Sequence, residues 1–101
     1  MLDNLENLVK IIRDRKNKGE DKSYTASLLA GGLSKCIDKM EEEFDELKEA
    51  LNDKSNVVHE AADTIYHILV TLEAADIKFE DVLKELESRK KQSGIEEKNN
   101  R

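Results

Sequence analysis

The sequence predicts an all-α protein, and three observations carry the prediction. No proline and only four glycines occur among 101 residues. Apolar residues recur at steps of three and four along most of the chain, which is the period of an amphipathic helix. Charged residues make up 40% of the chain, mixed in sign as on solvated helix faces. One domain spanning 1–101 is expected, with a polar tail from about residue 94. A monomer of this size buries only about 60–68% of its unfolded surface, so pairing of two copies would help its core.

The first helix is expected over about 2–16. Leu2, Leu5, Leu8, Val9 and Ile12 form one stripe, with acids early and Arg13, Arg15 and Lys16 late, as the helix dipole favours. The stretch 17–22, holding Gly19, reads as a loop, and Ser23 or Thr25 suits the next N-cap. A long second helix is expected over about 25–52. Its seam of Leu29, Leu33, Ile37, Met40, Phe44, Leu47 and Leu51 is that of a helical bundle. Gly31 and Gly32 interrupt it, and mark either a bend or a helix that starts after them.

A short turn, with Ser55 or Asn56 as cap, leads to a third helix over about 57–75. It is apolar on nearly all sides, which predicts burial on nearly all sides. The exception is a polar stripe of Glu60, Asp63, His67 and Thr71. A fourth helix, about 79–91, is amphipathic through Phe79, Val82, Leu83 and Leu86 and ends near Ser93-Gly94. Together the four make a small four-helix-bundle-like fold.

Charge and cysteine content narrow the function. The formal charge of −6 includes no basic block, so a nucleic-acid partner is not expected. The N-terminus lacks the basic residues of a signal peptide, and no apolar run reaches the ~18 residues of a membrane span. With one cysteine, Cys36, no internal disulfide can form, and a cytoplasmic protein is expected.

The polar stripe carries the chemistry. Residues three or four apart share a helix face, so Glu43 and Glu46 are neighbours, with Glu42 beside Glu46, and so are Glu60 and Asp63. At about 100° per residue, Glu43 flanks the apolar seam, whereas Glu42 points furthest from it. A solvated face with Lys39–Glu43 pairing is the bland reading of the first group. The second resists that reading, because a buried carboxylate without a partner costs several kcal/mol and no Lys or Arg lies within a turn. Two such pairs brought together would form an all-oxygen site for a hard cation, Mg²⁺ or Mn²⁺, and not a zinc site. Such a cation leaves positions for phosphate oxygens and water, which suits hydrolysis of a nucleotide phosphoanhydride. His67 could lie near the metal or donate to Asp63.

The spacing Glu43-x-x-Glu46, thirteen residues, then Glu60-x-x-Asp63 resembles the signature of the all-α MazG-like nucleotide pyrophosphohydrolases. Within that superfamily, SYTASLLAGGLSKCIDKMEEEFDE followed by HEAADTIYHILVTL looks like phosphoribosyl-ATP pyrophosphohydrolase of histidine biosynthesis, as does the closing RKKQSGIEEKNNR. The resemblance implies Mg²⁺-dependent cleavage of the α–β phosphoanhydride of 1-(5-phosphoribosyl)-ATP, giving phosphoribosyl-AMP and pyrophosphate, by a homodimer. It also implies Glu42, Glu43, Glu46 and Asp63 as metal ligands, with Glu60 as ligand or base. Catalysis would rest on Glu43, Glu46 and Glu60. Ser23, Tyr24, Lys39, Lys98 and Arg101 become candidates for phosphate or ribose contacts. Glu41 stands where that family commonly has glycine, Gly31 where a basic residue is frequent, and the usual proline before Ser23 is missing. None of these departures touches the acids. Two other readings use the same residues: a house-cleaning hydrolase of noncanonical or deoxynucleoside triphosphates, and a non-catalytic helical interaction module whose buried acids pair with bases.

Overall fold

A computed structural model describes residues 2–16 and 23–90. Among these, five helices follow in order: α1 (Leu2–Arg15), α2 (Tyr24–Ala30), α3 (Leu33–Asp53), α4 (Val57–Ala74) and α5 (Phe79–Arg89). The expected second helix is two. Ser23 caps α2, its Oγ accepting from the Ala26 amide at 2.9 Å. The chain then breaks at Gly31-Gly32. Gly31 closes α2 through its amide to the Ser27 and Leu28 carbonyls, whereas Gly32 takes φ +89°, outside the helical range. The Gly32 carbonyl then accepts from the Cys36 amide and starts α3. A side chain at Gly32 would meet nothing nearby; the backbone angle is what calls for glycine. At the start of α4, Asn56 is the cap residue but makes no side-chain cap bond.

The core gathers where α1, α2, α3 and α4 converge. Val9, Ile12, Leu28, Cys36, Leu69 and Val70 are buried together, and Leu5, Leu8, Leu29, Tyr66, Ala74 and Phe79 pack around them. Complete burial of a side chain such as Ile12 or Val70 contributes ~1.5–3 kcal/mol. Cys36 is a packing residue, and its thiol also donates to the Leu28 carbonyl at 3.3 Å. Around the rim, Arg13 bonds Glu73 and Glu80 while Lys16 bonds Asp76, tying α1 to the α4–α5 junction.

α3 and α4 form an antiparallel hairpin, the largest contact of the fold, with a small-residue seam. The Thr71 hydroxyl donates to the carbonyls of His67 and Cys36, and Thr64 does the same to Glu60 and Glu43. Cys36 and Glu43 on α3 thus lie against Thr71 and Thr64 on α4, one heptad apart along each helix. The larger seam predicted for α3 is not the buried one. Leu33, Ile37, Phe44 and Leu51 are exposed, as are Val58 and Ile65 on α4. Close approach of the two backbones is possible only over small side chains, and that turns the bulky row to the outside.

Candidate metal centre

Glu43, Glu46 and Glu60 come together across the hairpin. A carboxylate oxygen of each lies within 4.8 Å of the others. Glu60 also belongs to a second group with His59 and Asp63, whose ligand atoms fall within the same distance. Asp63 therefore joins the cluster through Glu60, and its charge reaches Glu43. The heptad seam explains the placement: Thr64 sets the backbone of Glu43 against that of Glu60, and each glutamate then extends toward the same flank.

Glu43 Oε2 and Glu60 Oε2 are fully covered and have no hydrogen-bond partner. Burial, followed by the charge of Glu46, raises the proton affinity of both carboxyls above the ordinary range. Two covered, unpartnered oxygens beside a third carboxylate fit a hard divalent cation, which would supply both the missing partner and the opposing charge. An interaction module whose acids pair with bases would leave no such orphans. One base is nonetheless present. His59 Nε2 lies 3.2 Å from Asp63 Oδ2, four residues along α4. The i, i+4 spacing of His59 and Asp63 is the sequence signal for this pair, which a count of Lys and Arg alone passes over.

The remaining candidates sit around this centre. Glu42 is not in the cluster: it is exposed and paired with Lys39 at 3.1 Å. That contact also replaces the expected Lys39–Glu43 pair, because Glu43 turns toward α4. His67 is buried, with Nδ1 2.8 Å from the Asp63 backbone carbonyl, not from its carboxylate, and Nε2 3.1 Å from the Tyr24 hydroxyl. Thr25 and Tyr66 are joined by their hydroxyls. Of the Ser23-Tyr24-Thr25 opening, Tyr24 is the residue that feels the charges of Glu43, Glu42 and Asp63. Ser23 already caps α2. Lys98 and Arg101 lie outside the described residues.

Residues 5–90 match the family model described as phosphoribosyl-ATP pyrophosphohydrolase. The chain belongs to the phosphoribosyl-ATP pyrophosphohydrolase family. A protein named phosphoribosyl-ATP pyrophosphatase from Rhizobium etli is 43% identical over 99 residues, covering 96% of this chain and 92% of its own. One of the same name from Ruegeria pomeroyi is 46% identical over 96 residues, 93% of this chain and 91% of its own. Another from Paracoccus denitrificans is 43% identical over 99 residues, with coverage of 96% and 92%. The phosphoribosyl-ATP pyrophosphohydrolase match takes in the whole carboxylate cluster, together with Tyr24 and His67. Among the described residues, no helix is long and apolar enough to cross a membrane.

Proposed function

We propose that this protein hydrolyses the α–β phosphoanhydride of 1-(5-phosphoribosyl)-ATP, giving phosphoribosyl-AMP and pyrophosphate, the second step of histidine biosynthesis. The observation that carries the reading is the pair of covered, unpartnered oxygens of Glu43 and Glu60 beside Glu46, in a chain of this family. Glu43, Glu46, Glu60 and Asp63 would hold the cation, Mg²⁺ or Mn²⁺, while Glu42 stays on the rim with Lys39. A bound divalent ion supplies charge neutralisation for the polyphosphate and a lowered pKa for the attacking water.

The chain's own residues account for the rest. Their carboxylates repel a polyphosphate unless neutralised, which makes binding conditional on the ion. Of Glu43 and Glu60, whichever is less engaged by the ion would take the water's proton. Lys39, half-exposed beside Glu42, would meet substrate phosphate. Cytoplasmic location fits a soluble substrate of this kind.

The exposed apolar row on the hairpin supports a homodimer. Ile37, Phe44 and Leu51 repeat every seven residues on α3, as Val58 and Ile65 do on α4. Two hairpins related by a two-fold axis would cover these rows in a four-helix bundle.

A pyrophosphate-release assay with Mg²⁺ tests the activity, comparing phosphoribosyl-ATP with a panel of nucleoside triphosphates. Preference for phosphoribosyl-ATP is expected; preference for the triphosphates would assign the protein to house-cleaning instead.

A further inference from the structure

Lys35 and Lys39 stand one turn apart on α3, and the acids follow them. With Glu43 as the zero of angle and about 100° per residue, Lys39, Glu46 and Lys35 fall about 40°, 60° and 80° to one side. The exposed Ile37, Phe44 and Leu51 fall on the other. The lysines therefore share the hairpin flank of the carboxylates, away from the apolar row. Eight residues separate Lys35 from Glu43, about 12 Å along the axis at ~1.5 Å per residue.

Both lysines also edge α2, at its two ends. The charge of Lys39 reaches Tyr24, where α2 begins. At Gly31, where α2 closes, a Cβ would collide with the Lys35 side chain at Cδ. Gly31 thus leaves the space in which the Lys35 stem lies, while the residue as a whole stays exposed. The two cations differ in one respect. Lys39 is paired with Glu42 at 3.1 Å, whereas no acid pairs with Lys35 among the described residues.

Phosphoribosyl-ATP has a triphosphate at one end and a single phosphate at the other, with adenine and two ribose rings between. The carboxylates and their cation take the first. In a chain of net charge −6, the second needs a cation of its own, set well apart from the cluster. We propose that Lys35 is a specificity-determining residue that binds the 5-phosphate of the phosphoribosyl group, at the end remote from the bond that breaks. A nucleoside triphosphate has no phosphate there, so Lys35 favours phosphoribosyl-ATP over it. The inference rests on the pyrophosphohydrolase reading and assigns one part of its substrate to one side chain.

Lys35→Met removes the charge and keeps the stem. Calorimetry in Mg²⁺ compares phosphoribosyl-AMP, AMP and pyrophosphate on the wild type and the variant. Phosphoribosyl-AMP should weaken about tenfold, the scale of one charged hydrogen bond, while AMP and pyrophosphate change less than twofold. Lys35→Arg should keep most of the preference for phosphoribosyl-AMP over AMP. An unchanged preference in Lys35→Met would overturn the proposal and leave the substrate reading intact. Equal weakening of all three ligands would make Lys35 a support for the α2–α3 junction and also overturn it. A wild type that binds phosphoribosyl-AMP and AMP alike and hydrolyses only nucleoside triphosphates would defeat the substrate reading itself, and the proposal with it.

Discussion

The Thr64 hydroxyl donates to the Glu43 carbonyl at 3.2 Å, across the α3–α4 hairpin. The same hydroxyl reaches the Glu60 carbonyl in its own helix at 2.8 Å. One buried side chain therefore touches the backbones of two carboxylate residues from opposite helices and fixes their relative height. Thr71 repeats the arrangement one heptad away, at Cys36.

Thr64→Val keeps the shape and deletes the bond. A hydrogen bond of this kind contributes ~1 kcal/mol, so the melting temperature should fall by about 4–8 °C for a domain of this size. Activity should fall further than stability alone explains, because Glu43 loses its register. Thermal melts beside pyrophosphate-release rates check both; a stability loss with wild-type turnover would assign Thr64 to folding only.

Mg²⁺ should raise the melting temperature at millimolar concentration, because it binds the folded carboxylates and not the open chain. Glu43→Gln should behave oppositely in two respects. Without the ion it should melt no lower than wild type, since like charges are removed; with the ion it should gain less. Glu46→Gln and Asp63→Asn should each abolish hydrolysis while the helical circular dichroism stays intact. Near-normal turnover in both would defeat the site.

Acidity should act in two opposed directions on the ion-free protein. The Glu43 and Glu60 carboxyls are raised in the fold by burial and by Glu46, so their ionised forms oppose folding. That penalty is relieved as pH falls through the raised values toward the ordinary 4.5, and stability should rise there. Glu80 is lowered to about 2 by its bonds to Arg13. Its contribution is present above 4.5 and lost as pH falls toward 2, and is modest because the pair is exposed. Melting temperatures across pH 3 to 8 should therefore pass through a maximum on the acid side of neutrality. The rise should flatten in Glu43→Gln; an unchanged profile there would refute the assignment.

The two central glycines should differ. At Gly32, φ +89° strains any side chain, so Gly32→Ala should lose about 1 kcal/mol or more. At Gly31, φ −73° is helical and a Cβ would meet the Lys35 side chain, whose outer methylenes can swing away. Gly31→Ala should stay within about 1 kcal/mol of wild type, in either direction. Urea titrations of the two variants decide it.

The open apolar row makes a prediction about assembly. Ile65→Glu places a charge on its centre and should convert a dimer to monomer in sedimentation. A wild type that sediments as a monomer would remove the dimer altogether.

Helix periods and the acid spacing are local properties, and they were legible in the sequence: Ser23 or Thr25 as a cap, and the pair Glu43 and Glu46 facing the pair Glu60 and Asp63. What lay beyond it depended on which residues face each other. Periodicity marks an apolar stripe, but close packing of α3 on α4 takes the small side chains of Cys36, Ala50, Thr64 and Thr71, so the bulky stripe faces outward. Spacing puts Glu42 next to Glu46, yet only the hairpin decides that Glu42 turns to Lys39 while Glu43 turns to Glu60. The choice between a bend and a break at Gly32, and the contact of Tyr24 with His67, are likewise tertiary outcomes. Each depends on a backbone angle or a distance between residues far apart in the chain, which no local pattern encodes.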